Sequence, residues 1–337
     1  MILVAGESLI DLILSGPAAP SPGAGQPLAD WNGGTLTSGS TVLASPGGGP
    51  FNAARTIARL GQPARFLGRF STDPFGDMLA GQLTSDQVEL ALPDRVPEPT
   101  PLAIVALSGA GIPRYWFHLT GTAAFVLDQA SAAGALSEDV TAVHVGTLGL
   151  VVEPMATEVE RLAHSLSASV LLFVDPNWRE SAIPDAAAHR DRIRRLMPRT
   201  DILKTSTEDL GYLAPGRSVP DAAAMLLGWG ARCVLVTDGP APVRAYTATD
   251  RLEVAVPPLP VVDTVGAGDA FGGGFLAWWA EHGLAREDLT QAGPLRAAVT
   301  AGALVAALTC GRSGADPPWR RDLGGAQDWG HAPRATA

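Results

Sequence analysis

Val262-Asp263-Thr264-Val265-Gly266-Ala267-Gly268-Asp269-Ala270-Phe271 sets two glycines around one alanine and follows them at once with a carboxylate. An apolar run at helical spacing comes next, with Phe271, Phe275, Trp278 and Trp279. The stretch reads as a turn feeding directly into a helix. The first N–H groups of a helix have no intrahelical partner, and the helix dipole draws anions to that end. Glycine lets the backbone approach a ligand closely and adopt positive φ. A carboxylate beside an anion site would ordinarily repel the anion. Asp269 therefore reads either as a proton acceptor beside a phosphoryl group or as a plain helix cap after a glycine turn.

The rest of the chain narrows the classes of function. With 337 residues, 46% apolar and 17% charged, it is long enough to bury a large core. The net charge of −10 argues against nucleic acid as a partner, because phosphate backbones need clustered cations. Cys233 and Cys310 both lie in apolar runs without metal spacing, which suggests buried free thiols in a reducing compartment. Met1-Ile2-Leu3-Val4 reads as a strand and not as a signal peptide. The apolar stretch Ala297–Thr309 is too short to span a bilayer. The expectation is a soluble cytoplasmic protein with no membrane partner. Lys204 is the only lysine, and Leu203 stands where a Walker-type phosphate loop needs glycine. No H-E-x-x-H occurs among the six histidines, which disfavours catalytic zinc.

Short apolar runs at Ile2–Val4, Ala64–Leu67, Ala142–Val145, Val170–Val174, Asp201–Leu203 and Cys233–Val236 read as strands. Helices start near Pro50, Pro74 and Pro154 between them. This alternation predicts an α/β fold: a doubly wound, mostly parallel sheet flanked by helices, with ligands at the carboxyl ends of its strands. Two regions break the alternation. Residues 15–46 are rich in Gly, Ser, Thr and Pro, with brief apolar stretches at Thr35-Leu36-Thr37 and Thr41-Val42-Leu43. Leu102–Leu107 and Arg114–His118 are strand-like and joined by Ser108-Gly109-Ala110-Gly111, a hairpin signal.

The string D-T-V-G-A-G-D-A-F, backed by Gly272-Gly273-Gly274, resembles the C-terminal signature of the ribokinase family of sugar kinases, also called the phosphofructokinase-B family. Gly6-Glu7-Ser8-Leu9-Ile10-Asp11 resembles the family's first-strand motif. Gly47-Gly48-Gly49-Pro50-Phe51-Asn52-Ala53-Ala54 resembles its G-G-x-x-x-N-x-A segment, and Phe70–Gly76 the G-x-D-x-F-G that follows. The resemblance implies a kinase domain over residues 1–319 and a polar C-terminal tail over 320–337. It also implies a small β-sheet lid built from about 12–43 and 96–120. ATP and Mg²⁺ are the implied cofactors, and a monovalent cation such as K⁺ stays open. A small sugar and ATP are the implied partners, and a homodimer through the β lid also stays open.

Carried onto these positions, the family pattern makes Asp269 the general base. The amides of Gly266, Ala267 and Gly268 form an anion hole for the charge that develops in phosphoryl transfer. Asp11 and Asn52, with Gly47 and Gly48, are the implied sugar contacts; locally Asp11 could be a solvated carboxylate and Asn52 a helix cap. Asp175-Pro176-Asn177-Trp178-Arg179 looks like the D-P-N-x-R of fructokinase-type members, and Arg179 suits a sugar or phosphoryl oxygen. Lys204-Thr205-Ser206-Thr207-Glu208-Asp209 lies where the family carries N-x-x-E near the metal-bound nucleotide. Ser206 and Asp209 also have capping-box spacing. Lys204, Ser206, Thr237, Gly239 and Gly314 are the implied nucleotide contacts. The influence on Mg²⁺ falls to Asp209 or Glu208, through water. Pro242 stands where the family often has a second glycine after Thr237-Asp238-Gly239, which leaves that loop's path open.

The G-E-x-L-I-D opening, D-P-N-W-R and Gly121-Thr122-Ala123 together look like fructokinases, so a ketohexose, fructose first, is the expected acceptor. The rival is a 2-keto-3-deoxygluconate kinase, with Arg114 as the reader of a carboxylate. Ribokinase or nucleoside kinase comes third, and a non-catalytic sugar sensor is the alternative from another class.

Overall fold

The computed structural model describes residues 1–15, 41–107, 113–324 and 329–330; the side chains of 14, 15, 41, 106, 107, 113 and 114 are outside that description. Thr35-Leu36-Thr37, the Ser108–Gly111 joint, the Arg114 side chain and most of the expected tail therefore lie outside the described residues. The chain begins with β1 (Ile2–Ala5), β2 (Leu9–Ser15), β3 (Thr41–Gly47), α1 (Gly49–Arg59), β4 (Ala64–Leu67), α2 (Pro74–Ser85) and β5 (Glu89–Leu90). It continues through β6 (Leu102–Leu107), β7 (Pro113–His118), α3 (Gln129–Gly134), β8 (Ala142–Gly146), α4 (Met155–Ser165), β9 (Leu171–Asp175) and α5 (Ala186–Leu196). Then come β10 (Ile202–Ser206), α6 (Thr207–Leu213), α7 (Val219–Gly228), β11 (Cys233–Asp238), β12 (Ala241–Thr247) and β13 (Arg251–Val254). Helices α8 (Ala267–Glu281) and α9 (Ala292–Cys310) follow.

Nine strands form one sheet in the order β13-β12-β11-β10-β9-β8-β1-β4-β5, parallel except for the β11-β12-β13 meander at one edge. All six expected strands are present. Strands β1, β8 and β9 are buried along their whole length, which is why they read as continuous apolar runs and not as alternating ones. Successive residues still point to opposite faces. Ile2, Val4, Phe173 and Ile202 pack with α1, α2, α8 and α9, whereas Leu3, Ala5, Leu172 and Val174 pack with α3–α7. The chain leaves β1 toward β4 on one side and pairs it with β8 on the other, so the order reverses beside β1. A crevice at the carboxyl ends of these strands is the place where such sheets bind ligands.

The three glycines behind the signature serve close packing. A methyl group at Gly272 would stand 3.3 Å from Phe173 of the sheet. At Gly273 it would stand 2.6 Å from Thr56 of α1, and at Gly274 2.9 Å from Val305 of α9. Helix α8 is thus wedged at once against the sheet, α1 and α9.

A second sheet has the order β3-β2-β6-β7. The expected small separate sheet is present, and its described strands start earlier in one segment and later in the other than the expected bounds. Strand β2 already begins at Leu9, while Val96 pairs with Ser71 beside the main sheet, so the second segment joins the lid only from Leu102. The short-helix expectation at Ala297–Thr309 is also corrected, because α9 spans 19 residues and is long and apolar enough to cross a membrane by length and composition alone. Its packing against α8 and the core accounts for that composition: Leu295, Val299 and Val305 are buried there. Beyond residue 319 the chain is not a loose tail throughout. Arg320–Leu323 forms a 3₁₀ turn, and Trp329, 1% exposed, donates from Nε1 to Glu281 at 2.8 Å. An indole that large brings enough apolar surface to hold its segment against the core.

Helix α1 is tied down by ions. Asp86, buried, accepts from Arg55 Nε at 2.7 Å and Arg59 Nε at 2.9 Å. The far ends of the two arginines reach Ala315 O at 2.9 Å and Pro317 O at 2.7 Å, so the last loop is fastened to α1. Burial lowers the Arg55 pKa against the pull of Asp86. Asp86→Ala should therefore lower unfolding free energy by about 3–5 kcal/mol in urea titration, since it takes from two buried guanidinium groups the buried carboxylate they share and leaves them the half-exposed Asp316 and backbone carbonyls. A loss below about 1 kcal/mol would show that water replaces the carboxylate.

Candidate active site

Helix α8 starts after Gly266, whose φ of 76° is left-handed and favours glycine. The turn before it is held from outside. Asp263 accepts from Val265 N at 3.0 Å and from Gly314 N at 2.9 Å, which brings the last loop against the signature. Asp269 sits in the first turn of α8, half-buried, and accepts from Asn52 Nδ2 at 2.9 Å. Asn52 is thus not a cap of α1; Gly48 holds that position and Asn52 lies inside the helix. Burial pushes the Asp269 pKa up to about 6. The Asn52 hydrogen bond opposes the rise, Asp175 adds to it, and Lys204 and Arg179 oppose it.

Lys204 lies deeper than a residue in open contact with nucleotide. It is 3% exposed, and its ammonium pairs with Asp175 Oδ2 at 2.8 Å. Burial alone would lower its pKa, but Asp175, then Asp269 and Asp209, hold it above the ordinary lysine value. A methyl group at Gly268 would stand 2.7 Å from Lys204 Nζ, so the one lysine of the chain lies directly behind the glycine turn. The hydrophobic strand β10 carries it there from inside the sheet, which is the reason it does not reach outward.

The lid supplies the facing wall. Asp11 lies in β2, opposite Ser45 of β3 and Ala103 of β6. Its carboxylate comes within 2.3 Å of where a Gly47 side chain would start. Burial and then the Asp269 charge push the Asp11 pKa up to about 6, with Arg179 pulling it back. Burial raises the pKa of Tyr115 in β7, and the charges of Arg179, Asp11 and Asp263 act on it as well. Arg179 is exposed, and its charge acts on Asp11, Asp209 and Asp269 alike.

On the other side, Ser206 caps α6 by accepting from Asp209 N at 2.9 Å, the capping half of its expected role. Asp209 is buried, with its pKa raised by burial and by Asp175, whereas Glu208 is exposed. Thr237, next to last in β11, pairs with Ser206 of β10, and Gly239 (φ 52°) turns the chain into β12. Among the described residues no group of three or more His, Cys, Asp or Glu is arranged as a metal site. Mg²⁺ needs few protein ligands when a nucleotide supplies oxygens. Asp175 Oδ1, buried without a hydrogen-bond partner, and neighbouring Asp209 fit a hydrated divalent cation.

The sequence profile of the pfkB family carbohydrate kinases matches residues 4–321. The chain belongs to this family. It is 32% identical over 277 residues to a fructokinase of Rhizobium leguminosarum bv. trifolii, covering 82% of this chain and 79% of that one. It is also 32% identical over 246 residues to a probable fructokinase-2 of Arabidopsis thaliana, covering 72% and 74%. Its fold matches that of a Xylella fastidiosa fructokinase solved with bound ATP, at TM-score 0.74 and 27% identity over 93% of both chains. The protein is therefore a fructokinase-like, ATP-dependent sugar kinase.

Three contributors were given no role by the sequence. Glu7 is fully buried and accepts from Gly49 N at 3.1 Å and Gly149 N at 2.9 Å. Burial pushes its pKa up to about 8, although these amides and its own oppose the shift. Thr147, after β8, holds a φ of 50°, which is strained for a β-branched residue, and its hydroxyl accepts from Asn177 at 3.4 Å. Gly49 lies between that hydroxyl and Asp269, 2.3 Å and 3.2 Å from where its side chain would start. The run of three glycines hinted at Gly49, but nothing near Thr147 marks it. For the buried pair, Lys204→Met should destabilise the protein by about 3–5 kcal/mol by orphaning Asp175. Asp175→Asn with Lys204→Met should cost clearly less than the two single changes summed, as read in a double-mutant cycle of chemical unfolding. Strict additivity would contradict the pairing.

Proposed function

We propose that the acceptor is fructose and that Asp269 is the base that serves it. The observation that carries the reading is Asp269 itself: a carboxylate at the N-terminus of α8, held by Asn52, backed by Lys204 and faced by Asp11 of the lid. The fructokinase relatives support the choice of sugar.

In this reading Asp11 and Asn52 hold the sugar hydroxyls, and the lid with Tyr115 keeps water from the reacting hydroxymethyl group. As the hydroxyl oxygen bonds to the γ-phosphorus, its proton passes to Asp269, and the bond from phosphorus to the ADP oxygen breaks. The Gly266–Asp269 amides and the positive end of α8 stabilise the charge on the transferring group. Lys204 adds a fixed positive charge from behind. Arg179, between lid and phosphates, offers a planar pair of donors to either substrate. Asp209 and Asp175 would hold hydrated Mg²⁺, which supplies charge neutralisation of the nucleotide phosphates. Ser206, Thr237, Gly239 and Gly314 would border the nucleotide.

Asp269→Asn should leave ATP binding intact by calorimetry and lower turnover about 10²–10⁴-fold. Activity within a few-fold of the unmodified enzyme would overturn the assignment. Because the base must be ionised, kcat/KM should fall as pH drops through about 6. Asn52 holds that pKa down, so Asn52→Ala should move the acid limb to higher pH. An unmoved limb would mean that another group governs it. Phosphorylation rates across fructose, ribose, 2-keto-3-deoxygluconate and adenosine decide the acceptor, with the highest kcat/KM expected for fructose.

A further inference from the structure

Glu7 stands two residues beyond the end of β1, where the strand order reverses, and lies wholly out of solvent. Each of its two carboxylate oxygens holds a different loop. Oε1 takes the amide of Gly49, a first-turn N–H of α1 that has no intrahelical partner; Oε2 takes the amide of Gly149 in the turn after β8. Those loops form the two banks of the crevice. One carries Asn52, the residue that holds Asp269, and the other carries Thr147 in its strained conformation. Gly49 is also the residue squeezed between the Thr147 hydroxyl and Asp269. A shift of either bank would therefore alter the space in front of the Asp269 carboxylate. The elements on the nucleotide side reach their positions by other ties: Ser206 to Asp209, Asp263 to Gly314, and Lys204 to Asp175.

We propose that Glu7 is a positioning residue for the phosphoryl acceptor: by holding Gly49 and Gly149 it sets Asn52 and Thr147 around Asp269, and so fixes how the acceptor hydroxyl meets the base. The effect is one-sided, falling on the sugar and sparing the nucleotide. The proposal rests on the sugar-kinase reaction and not on the choice of sugar. It is measured with whichever sugar the unmodified enzyme phosphorylates best, so a wrong choice of fructose would leave it standing.

Glu7→Gln keeps the shape but turns an amide NH₂ toward one of two backbone donors, so one bank loses its acceptor. The expected result is a sugar KM raised about tenfold or more, the scale of one buried backbone donor left without its acceptor, with ATP affinity by calorimetry changed less than about twofold. If Glu7 acts through Asn52, adding Glu7→Gln to Asn52→Ala should raise the sugar KM by less than about twofold further. Glu7→Asp, one methylene shorter and unable to reach both amides, should give the same split, and it decides the matter if the glutamine variant does not fold. An unchanged sugar KM overturns the proposal. So does a parallel loss of sugar and ATP affinity, because that is the signature of general loosening.

Discussion

The whole arrangement depends on one half-buried helix end. Helix α8 must bring its unpaired first-turn amides to the carboxyl edge of the sheet without leaving them unsatisfied or flooding them with water. Three consecutive glycines let it approach the sheet, α1 and α9 at distances that no side chain would allow. The positive φ of Gly266 bends the entering chain, and Asp263 ties that chain to the last loop. Once α8 is set so, Asp269 has no freedom to be elsewhere.

Charge is the second constraint. Asp11, Asp175, Asp209 and Asp269 converge on the cleft, and burial and mutual repulsion raise the pKa of Asp11, Asp209 and Asp269. Lys204 and Arg179 answer this negative charge in different ways. Lys204 is fixed within the protein by Asp175, so its field is permanent and costs no reorganisation during a reaction. Arg179 is exposed and serves several carboxylates at once, a state that leaves it available to incoming oxygens. A divalent cation carried in with the nucleotide would relieve what remains of the repulsion.

Support comes from farther out than the cleft. The Arg55–Asp86–Arg59 cluster joins α1 to residues 315–317, and Ala315 in turn abuts Gly266. Asn52 and the signature turn thus share one frame, in which Asn52 meets Asp269 across a sequence gap of more than two hundred residues. Such a frame is worth its buried charges because a bond of 2.9 Å between remote elements tolerates little drift.

Much of this was readable before any coordinates. The order of strands and helices, the glycine turn and Asp269 follow from local rules: apolar runs the length of a strand, prolines in first turns, and glycines before an apolar helix. Those signals lie within a few residues of one another, so a linear chain displays them. The limits of the lid, the burial of Lys204 and the docking of Trp329 did not show, since each depends on what packs against the residue and not on its neighbours in sequence. Glu7 and Thr147 make the same point most sharply. The G-E-x-L-I-D motif drew attention to Glu7 without giving it a role, and a threonine before a leucine carries no mark of its own. Only the tertiary structure, by closing two distant loops around one buried carboxylate, decides that the first binds their amides and the second stands in a strained turn beside Gly49.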